Sequence, residues 1–130
     1  MADLLVVDDD PDLAESLASL LEAEGHEVRT AQNGQEGLKL VAQRHPDLVL
    51  LDVEMPVLTG PEMSYQMFVH DVGQEKIPIV LLSGITNLFK VADIVGTPYF
   101  LPKPCSFEAI SSLVARGLVE RRAPVRRARL

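Results

Sequence analysis

Carboxylates stand directly behind runs of apolar residues in two places: "LLVVDDDPD" (4–12) delivers Asp8, Asp9 and Asp10, and "LVLLD" (48–52) delivers Asp52. Two further runs stop at a hydroxyl and at an ammonium, "IVLLS" at Ser83 and "YFLPK" at Lys103. Carboxylates brought within a few ångströms repel, and a pair at ~4 Å already costs several kcal/mol at a surface-like dielectric. A cation must sit among them. A hard divalent ion suits oxygen ligands, and Mg²⁺ accepts one or two carboxylates while keeping several waters. Asp8 and Asp9 are therefore candidate ligands, direct or through water, whereas Asp10, just before Pro11, reads as a helix cap. Asp52 closes a buried-type run, so its carboxylate is positioned rather than free. A positioned carboxylate can attack phosphorus and form an aspartyl phosphate. That chemistry needs an in-line donor, a metal, and donors to the equatorial oxygens. Ser83, Lys103 and the backbone N–H groups after Asp52 and Ser83 can supply the last of these, and Gly84 leaves the approach open. Taken singly, a serine after a strand is more often a cap and a lysine more often solvated; the joint placement carries the reading.

These side chains meet only if the runs that carry them lie side by side. Short apolar runs (4–7, 27–31, 48–51, 79–82 and 99–101) alternate with stretches of helical period, the pattern of βαβ units around a parallel sheet. Leu13, Leu17, Leu20 and Leu21 form one apolar stripe of a first helix, opened by Asp10 and Pro11 and closed by Gly25. Further helices are predicted over 35–44, 61–72, 88–94 and 107–122, the last with Phe107, Ile110, Val114 and Leu118 on one face. Five strands and five helices in strict alternation give an α/β fold, a doubly wound five-stranded parallel sheet flanked by five helices. Ligands of such sheets bind outside the carboxyl ends of the strands, where Asp8, Asp9, Asp52, Ser83 and Lys103 fall.

The 130 residues fit one domain. No apolar run approaches the ~20 residues of a membrane span, and "MADLLVVDDD" lacks the basic start of a signal peptide, so a cytoplasmic protein is expected. Cys105 is the only cysteine, which excludes an internal disulfide and a thiolate metal cluster, and a buried small hydrophobe is expected there. The net charge of −7 is uneven: residues 1–115 hold 18 acidic and 6 basic side chains, while residues 116–130 hold six arginines and one glutamate. An acidic body argues against nucleic-acid binding. The arginine-rich end reads as a solvated helix end running into a linker, or as a small anion-binding arm. His26, His45 and His70 are expected at the surface.

The motifs in this order resemble the receiver (phosphoacceptor) domain of two-component response regulators, over residues 3 to about 121. The resemblance rests on "VVDDD", on "PDLVLLDVEMPVLTG" with Met55, Pro56 and Gly60 after Asp52, on "IVLLSG", and on "YFLPKP" with the Lys103–Pro104 pair. It implies a flavodoxin-like receiver fold for residues 1–121, with 122–130 as a basic tail or the start of a linker. It also implies Asp52 as phosphoacceptor, Mg²⁺ as cofactor held by Asp8, Asp9, Asp52 and the backbone carbonyl of Glu54, and Ser83 and Phe100 as switch residues. Phosphate would arrive from a histidine kinase or phosphotransfer protein. The response would reach a downstream protein, an output domain or a second copy of the chain through the face of the fourth helix, fifth strand and fifth helix. A cis Lys103–Pro104 peptide is expected, since cis costs only ~0.5–1 kcal/mol before proline and the ammonium must turn toward Asp52. The sequence departs from the pattern in a shortened segment between Ser83 and Lys103, in "VGTP" before the fifth strand, and at Cys105.

Two other functions fit parts of the pattern. A phosphate-independent interaction module would keep the fold without using the site. An aspartate-nucleophile phosphohydrolase would use Glu54, two residues after Asp52, as its second acid, but so short a chain has no room for a cap domain. Phe100 also has the plain reading of an aromatic at a strand end.

Overall fold

The computed structural model describes residues 1–71 and 77–125. Five strands, β1 (Asp3–Val7), β2 (Glu27–Ala31), β3 (Leu48–Asp52), β4 (Ile79–Ser83) and β5 (Tyr99–Pro102), alternate with α1 (Pro11–Ala23), α2 (Gly34–Gln43), α3 (Gly60–Asp71), α4 (Leu88–Val95) and α5 (Phe107–Glu120). The strands are all parallel, in the order β2-β1-β3-β4-β5. The expected architecture is therefore present.

Side chains alternate across the sheet and build two cores. Leu4, Val6, Leu48, Leu50, Val80, Leu82 and Tyr99 pack with α1 and α5 through Ala14, Leu17, Leu21, Ile110 and Val114. Leu5, Val7, Val49, Leu51, Ile79 and Leu81 pack with α3 and α4 through Met63, Met67, Leu88, Ala92 and Val95, and with Leu38 and Val41 of α2. β1, β3 and β4 read as continuous apolar runs because both faces are covered.

The helix starts follow their local chemistry. The Asp10 carboxylate accepts from the Asp12 and Leu13 N–H groups, with Pro11 at the first helical position. Thr59 and Glu62 form a reciprocal capping box at α3; at α2 the Asn33 side chain accepts the Glu36 N–H while the Glu36 carboxylate accepts the Gln32 N–H, and Ser106 caps α5. Gly25, at φ 100, lies just past α1 as the sequence predicts.

Several boundaries differ. Asp52 and Ser83 are the last residues of β3 and β4 rather than the residues after them, because each still pairs with the neighbouring strand. α5 stops at Glu120, short of the predicted 122, since Arg121 turns into the left-handed region. α4 extends to Val95 and ends on Gly96 at φ 89. The predicted end of α3 at Val72 lies outside the described residues. Residues 121–125 do not continue as a solvated helix end: the Val125 N–H donates to the Gly96 carbonyl at 2.9 Å.

Candidate functional site

The register brings the two acidic strand ends together. Val7 pairs with Leu51, so Asp8 and Asp52 come next on adjacent strands. Alternation then settles their side: Leu4 and Val6 on β1, and Leu48 and Leu50 on β3, face the α1/α5 core, and Asp8 and Asp52 follow in the same parity. Lys103 follows Tyr99 and Leu101 in the same way. Ser83 follows Ile79 and Leu81, which face α3 and α4. The pleat thus groups the two carboxylates with the ammonium and brings the hydroxyl in from the other side.

Asp8, Asp9 and Asp52 each offer an oxygen within 4.8 Å of the others. Asp8 is 3% exposed and Asp52 8%, whereas Asp9 is open to solvent. Lys103 Nζ donates to Asp8 Oδ2 at 2.8 Å and stands 3.7 Å from Asp52 Oδ1. The second Asp8 oxygen accepts the Asp10 N–H at 3.0 Å. The Lys103–Pro104 peptide is cis. The lysine is turned toward the site as expected, but its nearest partner is Asp8 rather than Asp52.

That arrangement leaves Asp52 under strain as an anion. Its pKa is pushed up to about 6, first by burial and then by the charge of Asp8, with Asp9 adding to the rise and Lys103 and the Val53 N–H opposing it. Burial pulls the Lys103 pKa down, but the hydrogen bond to Asp8 and the charges of Asp52, Asp8 and Asp9 outweigh it and raise the net value. One ammonium cannot balance three carboxylates. Hard oxygen donors in negative excess fit a divalent cation such as Mg²⁺.

Ser83 is buried, and its hydroxyl accepts the Ile85 N–H at 3.4 Å. Glu54 is exposed. Phe100 is 36% exposed on β5, while its neighbour Tyr99 is fully buried and donates its hydroxyl to Glu120 at 2.8 Å. Two expectations need correction. Cys105 is half-buried rather than buried, packed at the edge of the α1/α5 core, with its thiol pKa raised by burial. His26 is half-buried, because its Nδ1 accepts the Ala2 N–H at 3.2 Å. His45 is exposed as expected; the His70 side chain lies outside the described residues.

The loop after Asp52 is held more tightly than its sequence suggests. The Gly60 N–H donates to the Val53 carbonyl at 2.9 Å, and a Cβ at Gly60 would collide with the Asp52 carbonyl oxygen. The Gly34 N–H holds the Leu58 carbonyl at 3.2 Å. Between these ties the Leu58 N–H donates to the Pro56 carbonyl at 2.8 Å, closing a γ-turn around Val57 at φ 72. This form of the γ-turn is rare and strained, most of all for a β-branched residue. Leu58 is directed onto the core and Val57 stands 72% exposed.

Residues 4–115 match the model of the response regulator receiver domain. The chain is 38% identical over 123 residues, 93% of its length, to the response regulator MprA of Mycobacterium sp. (strain KMS), of which the match covers 52%. Among solved structures it is similar to the receiver domain of NtrX from Brucella abortus, with TM-score 0.79 and 31% identity over 90% of this chain and 98% of that one. It is similar also to the response regulator TrrA from Thermotoga maritima in complex with Mg(2+)-BeF, with TM-score 0.77 and 31% identity over 89% of this chain and 98% of that one. The chain belongs to the response regulator receiver domain family. Domains of this family are signalling switches of two-component systems, and this chain spans about half the length of the MprA proteins it matches. No helix among the described residues is long and apolar enough to cross a membrane.

Proposed function

We propose that the chain is a phosphorylation-controlled switch in which Asp52 accepts a phosphoryl group from a histidine kinase or phosphotransfer protein. The observation that carries this is the near-buried Asp52 carboxylate, set among Asp8, Asp9 and Lys103 at the carboxyl ends of the strands. An Asp52 oxygen attacks phosphorus, the bond from phosphorus to the donor's imidazole nitrogen breaks, and the nitrogen leaves with the electron pair. Asp9, Asp52 and the Glu54 carbonyl would hold Mg²⁺, with Asp8 acting mainly through water. The ion, when bound, neutralises the charge that gathers on the transferred oxygens. The relative TrrA, solved with Mg(2+)-BeF, supports that pairing of ion and phosphoryl stand-in. Lys103, whose ammonium lies 2.8 Å from Asp8, would meet one phosphoryl oxygen and Ser83 another.

The receiver unit is taken as residues 1–121. A phosphoryl group on Asp52 would draw Ser83 toward it, Phe100 would turn inward, and the face of α4, β5 and α5 would change for an output domain, a partner protein or a second copy. The resting and active forms must differ by only a few kcal/mol for one ligand to shift them. Incubation with acetyl phosphate and Mg²⁺ should add one phosphate to the wild type and none to Asp52→Asn. Label that persists in Asp52→Asn, or forms equally in a chelator, would sink the assignment and leave a phosphate-independent interaction module.

A further inference from the structure

We propose that residues 121–125 are a strap that reads the position of α4 and is released when the switch is thrown. This rests on the proposed function, since it names the element through which that function leaves the domain. Each element of the proposed output face contributes a contact near the strap. At its root, the Tyr99 hydroxyl of β5 donates to Glu120 of α5 at 2.8 Å, and Arg116 of α5 lies 5.3 Å over the Tyr99 ring. Arg121 then turns at φ 54 and places Nη1 3.5 Å from Asp47 Oδ1, just before β3. Ala123 and Pro124 help to line a cleft shared with Leu38, Val41 and Met67 of α2 and α3. The strap has by then passed from the α1/α5 side of the sheet to the opposite one. At its far end the Val125 N–H donates to the carbonyl of Gly96, the residue that ends α4, at 2.9 Å.

Gly96 is fitted to this contact twice over. Its φ of 89 disfavours any side chain, and a Cβ there would collide with the Val125 backbone. Val125 itself is exposed, so the docking is made by its backbone and depends on where α4 ends. A shift of α4 against α5 moves the two anchors apart. Past the exposed Arg121–Asp47 ion pair at its root, one backbone hydrogen bond and a few apolar contacts hold the strap, which places it at the low-stability end of the domain, where opening follows small changes elsewhere.

Trypsin cleavage after Arg121 and Arg122 reports the open form, because the protease needs the chain extended and free. Val125→Pro removes the donor N–H at an exposed position and leaves α4 untouched, so it should speed this cleavage about three- to tenfold, the population change expected for one lost hydrogen bond. The wild type treated with acetyl phosphate and Mg²⁺ should show a rise of the same size, and phosphorylated Val125→Pro little further rise. Intact mass is read in each sample. Unchanged cleavage in Val125→Pro would show that the strap is not held by Gly96. A wild type that carries phosphate by mass yet is cleaved at its resting rate would show that α4 and the strap are uncoupled. A chain that takes no phosphate refutes the reading of Asp52 and this coupling with it, while the Val125→Pro comparison still decides the docking.

Discussion

The two ends of the sheet handle charge in opposite ways. At the amino-terminal end, Asp3 meets Arg44 Nε at 2.6 Å and Arg29 Nε at 3.6 Å, Glu27 meets Arg44, and Asp47 meets Arg121. Three carboxylates there face three guanidinium groups. At the carboxyl end, Asp8, Asp9 and Asp52 share Lys103 alone among the described cations. The pKa values move accordingly: the Arg44 guanidinium is raised by its bond to Asp3, so charge stabilises charge, whereas burial and Asp8 hold the Asp52 carboxyl well above the carboxylate range. Matched charge at one end supports the fold. Unmatched charge at the other is an electrostatic cost that a bound cation can relieve.

The largest expected effect breaks the comparison at the carboxyl end. A pKa of about 6 in place of an ordinary 3.8 means that folding binds a proton between those values, so stability falls as pH rises through that window and stays lowered above it. In metal-free protein at pH 7, Asp52→Asn should therefore stabilise the fold by up to about 3 kcal/mol, with the gain fading as pH falls from 6 to 4. Urea unfolding of both proteins across that range measures it, and a gain that does not depend on pH would mean that Asp52 is not strained by ionisation. The same shift predicts that phosphorylation without excess Mg²⁺ weakens as pH drops through about 6, because the protonated acid is no nucleophile.

The amino-terminal end should respond with the opposite sign. Asp3→Ala leaves the half-buried Arg29 without its carboxylate and should cost about 2 kcal/mol, less than a fully buried pair because both partners reach some solvent. Asp3 Oδ1 and Arg29 Nε lack hydrogen-bond partners, so charge rather than hydrogen bonding is lost at that contact, and salt should shrink the effect. Equal stability of Asp3→Ala and wild type in low salt would show that the matching is incidental. A third substitution sharpens the contrast: Asp9→Ala should weaken Mg²⁺ binding by more than about tenfold in a titration while leaving metal-free stability nearly unchanged, since Asp9 is exposed. Unaltered affinity would remove Asp9 from the ligand set.

Much of this was legible in the sequence because strand ends and helix caps are local. "LLVV", "LVLL" and "IVLL" announce strands buried on both faces, and the residues that close them must lie at one edge of a parallel sheet; Asp10–Pro11 and Gly25 bracket a helix by chemistry confined to a few residues. Pairings between elements were not legible. That Lys103 reaches Asp8 first depends on register and pleat together, which no single segment encodes. The same holds for Asp3 with Arg29 and Arg44, and for Val125 with Gly96. The arginine-rich end reads as solvated by composition, but its docking depends on backbone groups, which composition does not describe. Val57 gives no warning at all, because its left-handed turn is imposed by the ties of Leu58 and Gly60 on either side.

That turn makes residue 57 a place where mutation has room to improve the molecule. Val57 strains its own backbone while its side chain faces solvent, and the ties that fix the loop belong to its neighbours. Gly or Asn would relax it by about 1 kcal/mol without disturbing either core. A library randomised at position 57 and sorted only for heat resistance should drift to Gly, Asn and Asp within a few rounds. Valine holding its starting frequency would show the turn to be unstrained. The same library sorted for signal output would then say whether an exposed valine in the loop after Asp52 is kept for a partner that touches it.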